Sequence, residues 1–248
     1  MSGQAPFSLP TVAFFGRTLA EYLQCFCLDA KELRGLRVLD CPGGPGSFAA
    51  EAAAIGCEVI AVDPAYEASA DELERRARAD IDACIAQMRA KPWAAPAGDL
   101  DAYASAKHEA LERFIKDFRA NRERYRAASL PRLPFADRHF DLVLSGHLLF
   151  LYAPLAEDGF LEGHRFDLAW HHEAIGELAR VSAAELRVYP TLALNSAPRR
   201  HCYASPIEAD LEARGWRCSF LPSVYAQYPP SWNDCLVARR LSVAATTG

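Results

Sequence analysis

The chain has 248 residues, 51% of them hydrophobic and 24% charged, with a formal net charge of −5 and a pI near 5.8. That length can bury a sizeable core in one large domain or two small ones, and the apolar share excludes wholesale disorder. The acidic balance argues against a nucleic-acid footprint spread over the surface, because such a footprint is basic. The most apolar run, residues 142–156, carries His147 and Pro154. It is shorter than the roughly 20 apolar residues of a spanning helix. No basic region precedes an apolar stretch at the N-terminus, and the eight cysteines are scattered without a CxxC pair. A cytoplasmic protein with reduced thiols is expected.

Residues 1–16 read as an irregular arm marked by Pro6, Pro10 and Gly16. Across residues 17–33, Leu19, Tyr22, Leu23, Phe26, Ala30 and Leu33 fall on one face of a helix, and Gly35 stops it. Residues 36–40 (LRVLD) form a buried strand, followed by the turn CPGGPG. An Ala-rich helix over residues 47–55 and a second buried strand over residues 57–63 (CEVIAVD) complete a βαβ unit. Residues 67–128 then hold 24 of the chain's 59 charged residues. Two amphipathic helices fit there, the first opened by a capping box at Ser69 and Glu72, with residues 91–98 between them. The arginines at 119, 122, 124 and 126 complement the end of the second helix as a solvated cluster. The α/β alternation resumes with strands over 140–145, 185–189, 216–224 and 234–240 and helices over 166–181 and 206–214. The whole chain, 1–248, reads as one domain with a helical insertion at 67–128.

The chemistry concentrates between Val38 and Asp63. A turn holding Gly44, Pro45 and Gly46 lets a ligand approach the backbone closely. Asp63 ends the second strand 19 residues after Gly44 and can accept both hydroxyl protons of a ribose. Gly44, Gly46 and Ala49 satisfy the loose dinucleotide pattern G-x-G-x-x-G/A, so an NAD-dependent oxidoreductase is one reading. Asp40 at the first strand's tip would repel a pyrophosphate there and welcome a cationic ligand such as S-adenosylmethionine.

These residues resemble the class I S-adenosylmethionine-dependent methyltransferases. VLDCPGGPG is similar to that family's first motif and VIAVD to its second, while LPFADRHFDLVLSGHLLFLY resembles its fourth-strand signature. The resemblance implies a Rossmann-like, seven-stranded, mostly parallel sheet with an antiparallel last strand and helices on both faces. The helical insertion follows the second strand. It implies that Asp40, Gly44 and Gly46 surround the methionine part of S-adenosylmethionine, Asp63 the ribose, and Pro64 the adenine. Ser145 offers backbone contacts near the sulfonium. Two positions depart from the pattern: Pro42 replaces the turn's first glycine, and Ser129 replaces the acid that holds the adenine amino group. The insertion leaves room for only a short third strand, residues 125–128.

The acceptor is a small or medium-sized molecule on this reading, with His147 the best-placed base if one is needed. Tyr66 and Tyr189 are expected as pocket walls, and His171 and His172 as solvent-facing or capping residues, with no metal site. The insertion is expected to act as a lid over the pocket or as a homodimer surface. A non-catalytic cofactor-binding or interaction protein is the remaining alternative.

Overall fold

The structure, a computed structural model, describes residues 7–91, 95–96, 98–193, 199–225 and 233–241. Its centre is a seven-stranded sheet in the order β3-β2-β1-β4-β5-β9-β8. The strands are β1 (Arg37–Asp40), β2 (Glu58–Val62), β3 (Tyr125–Arg126), β4 (Phe140–Gly146), β5 (Ser182–Tyr189), β8 (Trp216–Pro222) and β9 (Asp234–Arg240). β6 (Leu192–Ala193) and β7 (Arg199–Arg200) form a separate short pair. β1 pairs in parallel with both β2 and β4, β3 in parallel with β2, and β5 in parallel with β4. β9 runs antiparallel to both its neighbours. This is the Rossmann-like arrangement that the resemblance implied, including the short third strand.

Alternate residues of the central strands serve two cores, as buried parallel strands require. Val38, Leu142 and Leu144 join one core, with α1 (Leu19–Cys25) and α2 (Phe48–Ala54). Leu39 and Val143 join the other, with α5 (Leu168–Val181) and α6 (Ala204–Ala213). The single helix expected over residues 17–33 is divided instead. α1 opens with a capping box at Thr18 and Glu21, Cys27 takes a left-handed φ of 53°, and Asp29 opens a second short helix with Glu32. Two local start signals override one continuous apolar face.

The insertion forms α3 (Ala70–Ala90), opened by the Ser69–Glu72 capping box, and α4 (Leu100–Ala120). It packs on the α1/α2 side of the sheet. Phe114 and Phe118 of α4 meet Tyr66 and Tyr125 in one aromatic cluster, with ring centroids 5.2–5.9 Å apart. Tyr125 therefore belongs to the strand that α4 covers. The arginine cluster is largely structural: Arg119 pairs with Asp71, Arg124 with Asp117, and Arg122 donates to the carbonyls of Tyr125 and Tyr66.

Phe114→Ala should cost about 3–5 kcal/mol, the usual range for a buried aromatic lost from a packed cluster. Chemical denaturation checks this. A loss under 1 kcal/mol would show that the insertion is not part of the cooperative core.

Candidate active site

The register places Asp40 opposite Ala61 on one side and Leu144 on the other. The tips of β1, β2 and β4 thus end together, at the point where the chain leaves β3 and crosses to β4. In an open α/β sheet this switch point is where ligands sit.

The turn after β1 is held by its neighbours through the N–H groups of Gly43 and Gly44. Gly43 N donates to Val62 O (2.8 Å) and Gly44 N to Asp63 Oδ2 (3.2 Å). Pro42 and Pro45 have no N–H. Gly44 stands at φ 54°, the left-handed region that glycine tolerates best, and its carbonyl accepts from Tyr66 Oη (2.6 Å). A side chain at Gly43 would meet Tyr66 Oη at 2.6 Å and the Ala61 Cβ at 2.8 Å. Asp63 also accepts from Ala65 N (2.9 Å) and so caps the short turn of helix that follows β2.

Asp40 lies beneath this turn, 1% exposed, and accepts a hydrogen bond from Tyr22 Oη of α1 (2.9 Å). Burial raises its carboxyl well above the usual range, against the lowering effect of Tyr22; the neighbouring Asp63 raises it further. Asp63 is raised chiefly by burial too. Asp40 and Asp63 therefore converge on the same turn.

The N-terminal arm crosses above. Ala13 N donates to Tyr152 Oη (3.1 Å) and Phe14 N to Asp80 Oδ2 of α3 (2.7 Å). Phe48 N, at the start of α2, donates to Arg17 O (3.3 Å). The arm divides a trough over the strand tips into two cavities. The smaller, about 100 Å³, is lined by Arg17, Tyr22, Gly44, Gly146 and His147 under a roof that includes Phe7, Phe15 and Met88. The larger, about 390 Å³, is lined by Val62, Asp63, Pro64, Ser129, Leu130 and Leu148 beside Arg76 and Trp170. Pro42 and Asp63 border both. Cys84, Met88 and Arg76 show that α3 is one wall of the trough.

Most of the residues singled out in the sequence meet here: Pro42, Gly44, Asp63, Pro64, Ser129 and His147 all line the trough. Three do not reach its surface. Asp40 acts from one layer below, behind Tyr22 and Gly43. Gly46 is covered by the arm, where an added Cβ would lie 2.7 Å from Arg17 O. Ser145 is fully buried in β4, and its neighbours Gly146 and His147 line the smaller cavity instead.

The tyrosine and histidine expectations need correction. Tyr66 lies under the turn and Tyr189 donates to Asn233, so neither lines the trough. His171 is buried: its Nδ1 donates to Asp167 O (2.8 Å) and its Nε2 accepts from Phe150 N (3.0 Å). Burial drops it to about 4, so it is a neutral structural residue. His172 lies 3.1 Å from Asp210.

His147 holds a left-handed φ of 57°, and its N–H donates to Tyr189 O (2.6 Å). Burial, with Arg17 and Lys107 nearby, pushes its imidazole well below the ordinary range. Lys107 of α4 is 2% exposed and pairs with Glu21 of α1, which also accepts from Tyr225 Oη (2.5 Å). Burial and the Arg17 charge lower Lys107 to about 8. Sequence reasoning missed Arg17, Tyr22 and Lys107. Tyr22 was assigned to the core by its helical spacing, and nothing local marks the other two.

No family model matches the chain. It is similar to an uncharacterized protein, MJ0045, of Methanocaldococcus jannaschii, with 29% identity over 238 residues spanning 94% of this chain and 98% of that one. Among solved structures it is similar to magnesium protoporphyrin IX methyltransferase from Synechocystis with bound SAM, at 17% identity and a TM-score of 0.43, over 85% of this chain and 73% of that one. It is also similar to the N-methyltransferase NodS from Bradyrhizobium japonicum, at 12% identity and a TM-score of 0.44, over 90% of this chain and 96% of that one. The chain's own strand order defines its class of fold: Rossmann-like, with a single antiparallel strand near one edge. No helix among the described residues is long and apolar enough to cross a membrane.

Between the ordinary Asp range and the raised folded values, the native state keeps protons that the unfolded chain has released. Stability therefore falls as pH rises through that window. Asp40→Asn removes the group that is costly to ionise and keeps an acceptor for Tyr22. It should unfold at higher denaturant than the parent at pH 7 and at the same denaturant near pH 4, as measured by urea titration. Equal midpoints at pH 7 would mean that Asp40 carries no desolvation strain.

Proposed function

We propose that the protein is an S-adenosylmethionine-dependent methyltransferase acting on a small or medium-sized acceptor. The observation that carries this is the state of the turn after β1. The N–H groups of Gly43 and Gly44 are engaged within the protein, and two carboxylates converge on the turn. A pyrophosphate bound there would find no free donors from Gly43 or Gly44 and two carboxylates close by. The backbone N–H that opens α2 is occupied by Arg17 O as well. That counts against the dinucleotide reading.

A cationic amino-acid nucleoside fits the same features. Asp63 would take the ribose hydroxyls. The larger cavity, with Pro64, Val62, Leu130 and the Ser129 hydroxyl, would hold the adenine. An ammonium beside the thin Gly43 backbone would favour the ionised form of Asp40, whose carboxyl lies behind it on the Tyr22 hydroxyl. Arg17, at the far side of the smaller cavity, would face the carboxylate. When bound, S-adenosylmethionine supplies a methyl group already activated on a sulfonium. What the chain must add is alignment and exclusion of water. The arm and α3 enclose the trough accordingly, which supports reading the insertion as a fixed wall of the pocket.

Calorimetric titration with S-adenosylhomocysteine should show saturable binding, and the same titration with NADH should show none. Asp63→Asn should weaken the former about tenfold or more, since hydrogen bonds to a charged acceptor contribute roughly 1.5–3 kcal/mol. Binding of NADH with the homocysteine compound inert would overturn the reading.

A further inference from the structure

We infer that the acceptor is a planar aromatic carboxylic acid that lies in the half of the larger cavity nearest β4 and α5, with its ring against Trp170 and its carboxylate toward Arg165. This rests on the proposed use of S-adenosylmethionine, whose adenine and ribose take the other half of the same cavity.

The larger cavity is longer than the part of the cofactor assigned to it. Its lining runs from Leu130, after β3, past Asp63 at the tip of β2 and Pro42 after β1, to Leu148 after β4. That covers three interstrand spacings, roughly 14 Å at about 4.8 Å each. Adenine and ribose fill the stretch from Leu130 to Asp63. The volume agrees: about 390 Å³ lies within the roughly 300–1,000 Å³ of pockets that hold a whole drug-sized ligand, and a purine is a fraction of one. The stretch left over begins at Pro42, which borders both cavities. It therefore adjoins the place where a cofactor spanning the two cavities passes from its ribose to its methionine part, and so the transferable methyl.

The residues of that stretch set the occupant's chemistry. Leu148, Leu161, Phe166 and Trp170 line it, and Pro10 of the arm borders it where Leu9 pairs with Leu161. The rings of Phe166 and Trp170 lie 4.3 Å apart, tilted by 43°. Trp170 is only partly buried, so indole area remains for a planar guest. Four charged residues line the whole cavity, and three of them are engaged. Asp63 accepts from Gly44 N and Ala65 N. Arg76 lies 3.7 Å from Asp80 and over the ring of Phe14 (5.1 Å). Glu162 accepts from Ser8 Oγ of the arm (2.9 Å). The Arg165 guanidinium has the Phe166 ring beside it (5.2 Å) and no ion-pair partner among the described residues. A carboxylate on the guest is the counterion that Arg165 lacks. The end of the guest opposite that carboxylate then faces Pro42 and carries the atom to be methylated.

The test uses 2-naphthoate and its neutral analogue 2-naphthol, titrated by calorimetry near neutral pH into the full chain saturated with S-adenosylhomocysteine. The acid should bind alongside the nucleoside, and about threefold or more tighter than 2-naphthol, the scale of one exposed ion pair. Trp170→Ala should weaken the acid about tenfold or more, and Trp170→Phe should restore most of that loss. Both variants should bind S-adenosylhomocysteine as the unaltered chain does, which shows that they are folded. Arg165→Gln should erase the preference for the acid. The inference is overturned if S-adenosylhomocysteine expels 2-naphthoate, if the acid does not bind, if Trp170→Ala leaves its affinity unchanged, or if 2-naphthol binds as tightly. A preference for the acid that survives in Arg165→Gln overturns it too. Failure of the unaltered chain to bind S-adenosylhomocysteine would instead count against the methyltransferase reading.

Discussion

The turn after β1 spends the N–H groups of its two consecutive glycines on its own fold. Gly43 and Gly44 give their N–H groups to the tip of β2, and the carbonyl of Gly44 is held by Tyr66. The shape of the site follows from those bonds. Gly43 and Gly44 have no N–H left to wrap an anion, so what they offer a ligand is a thin backbone surface above a buried carboxyl group. The same bonds lock Asp63 at the point where both cavities meet, and they explain why Gly43 can carry no side chain.

Much of this frame was legible in the residues. Strands that are buried on both faces read as apolar runs, so β1, β2 and β4 were visible, and with them Asp40 and Asp63 at neighbouring tips. Ser69 and Glu72 announced α3. What was hidden depends on contacts between distant segments. Arg17 lies next to the site because Gly16 and Gly46 let two stretches of backbone touch, 30 positions apart in sequence. Lys107 is buried because Glu21 waits for it across 86 positions. His171 was expected to face solvent or cap a neighbour. Its helix, however, turns that face toward Phe150, where both ring nitrogens find backbone partners. A periodic pattern tells which face is apolar and says little about which polar group will be satisfied there.

The insertion's role is set by its apolar faces more than by its charges. Its density of acids and bases, with two amphipathic faces, suggested a lid over the pocket or a homodimer surface. In the structure its apolar faces close the sheet edge around Tyr66 and Tyr125, and its charges mostly pair with one another or with α1 and α2. The Arg113–Glu51 and Lys107–Glu21 pairs fasten it to the helices that flank the turn. Exposed pairs such as Arg113–Glu51 add little stability singly, whereas the buried Lys107–Glu21 pair would be costly to break on either side.

Gly16 and Gly46 meet with almost no clearance: a methyl on the first would lie 2.3 Å from the carbonyl carbon of Pro45, and one on the second 2.7 Å from Arg17 O. The two positions are therefore not free to drift independently. A chain that acquires bulk at either one must give up the overlay of one segment on the other, and with it the guanidinium delivered by the very next residue. Any comparison across related chains should find this pair of small residues retained together or lost together.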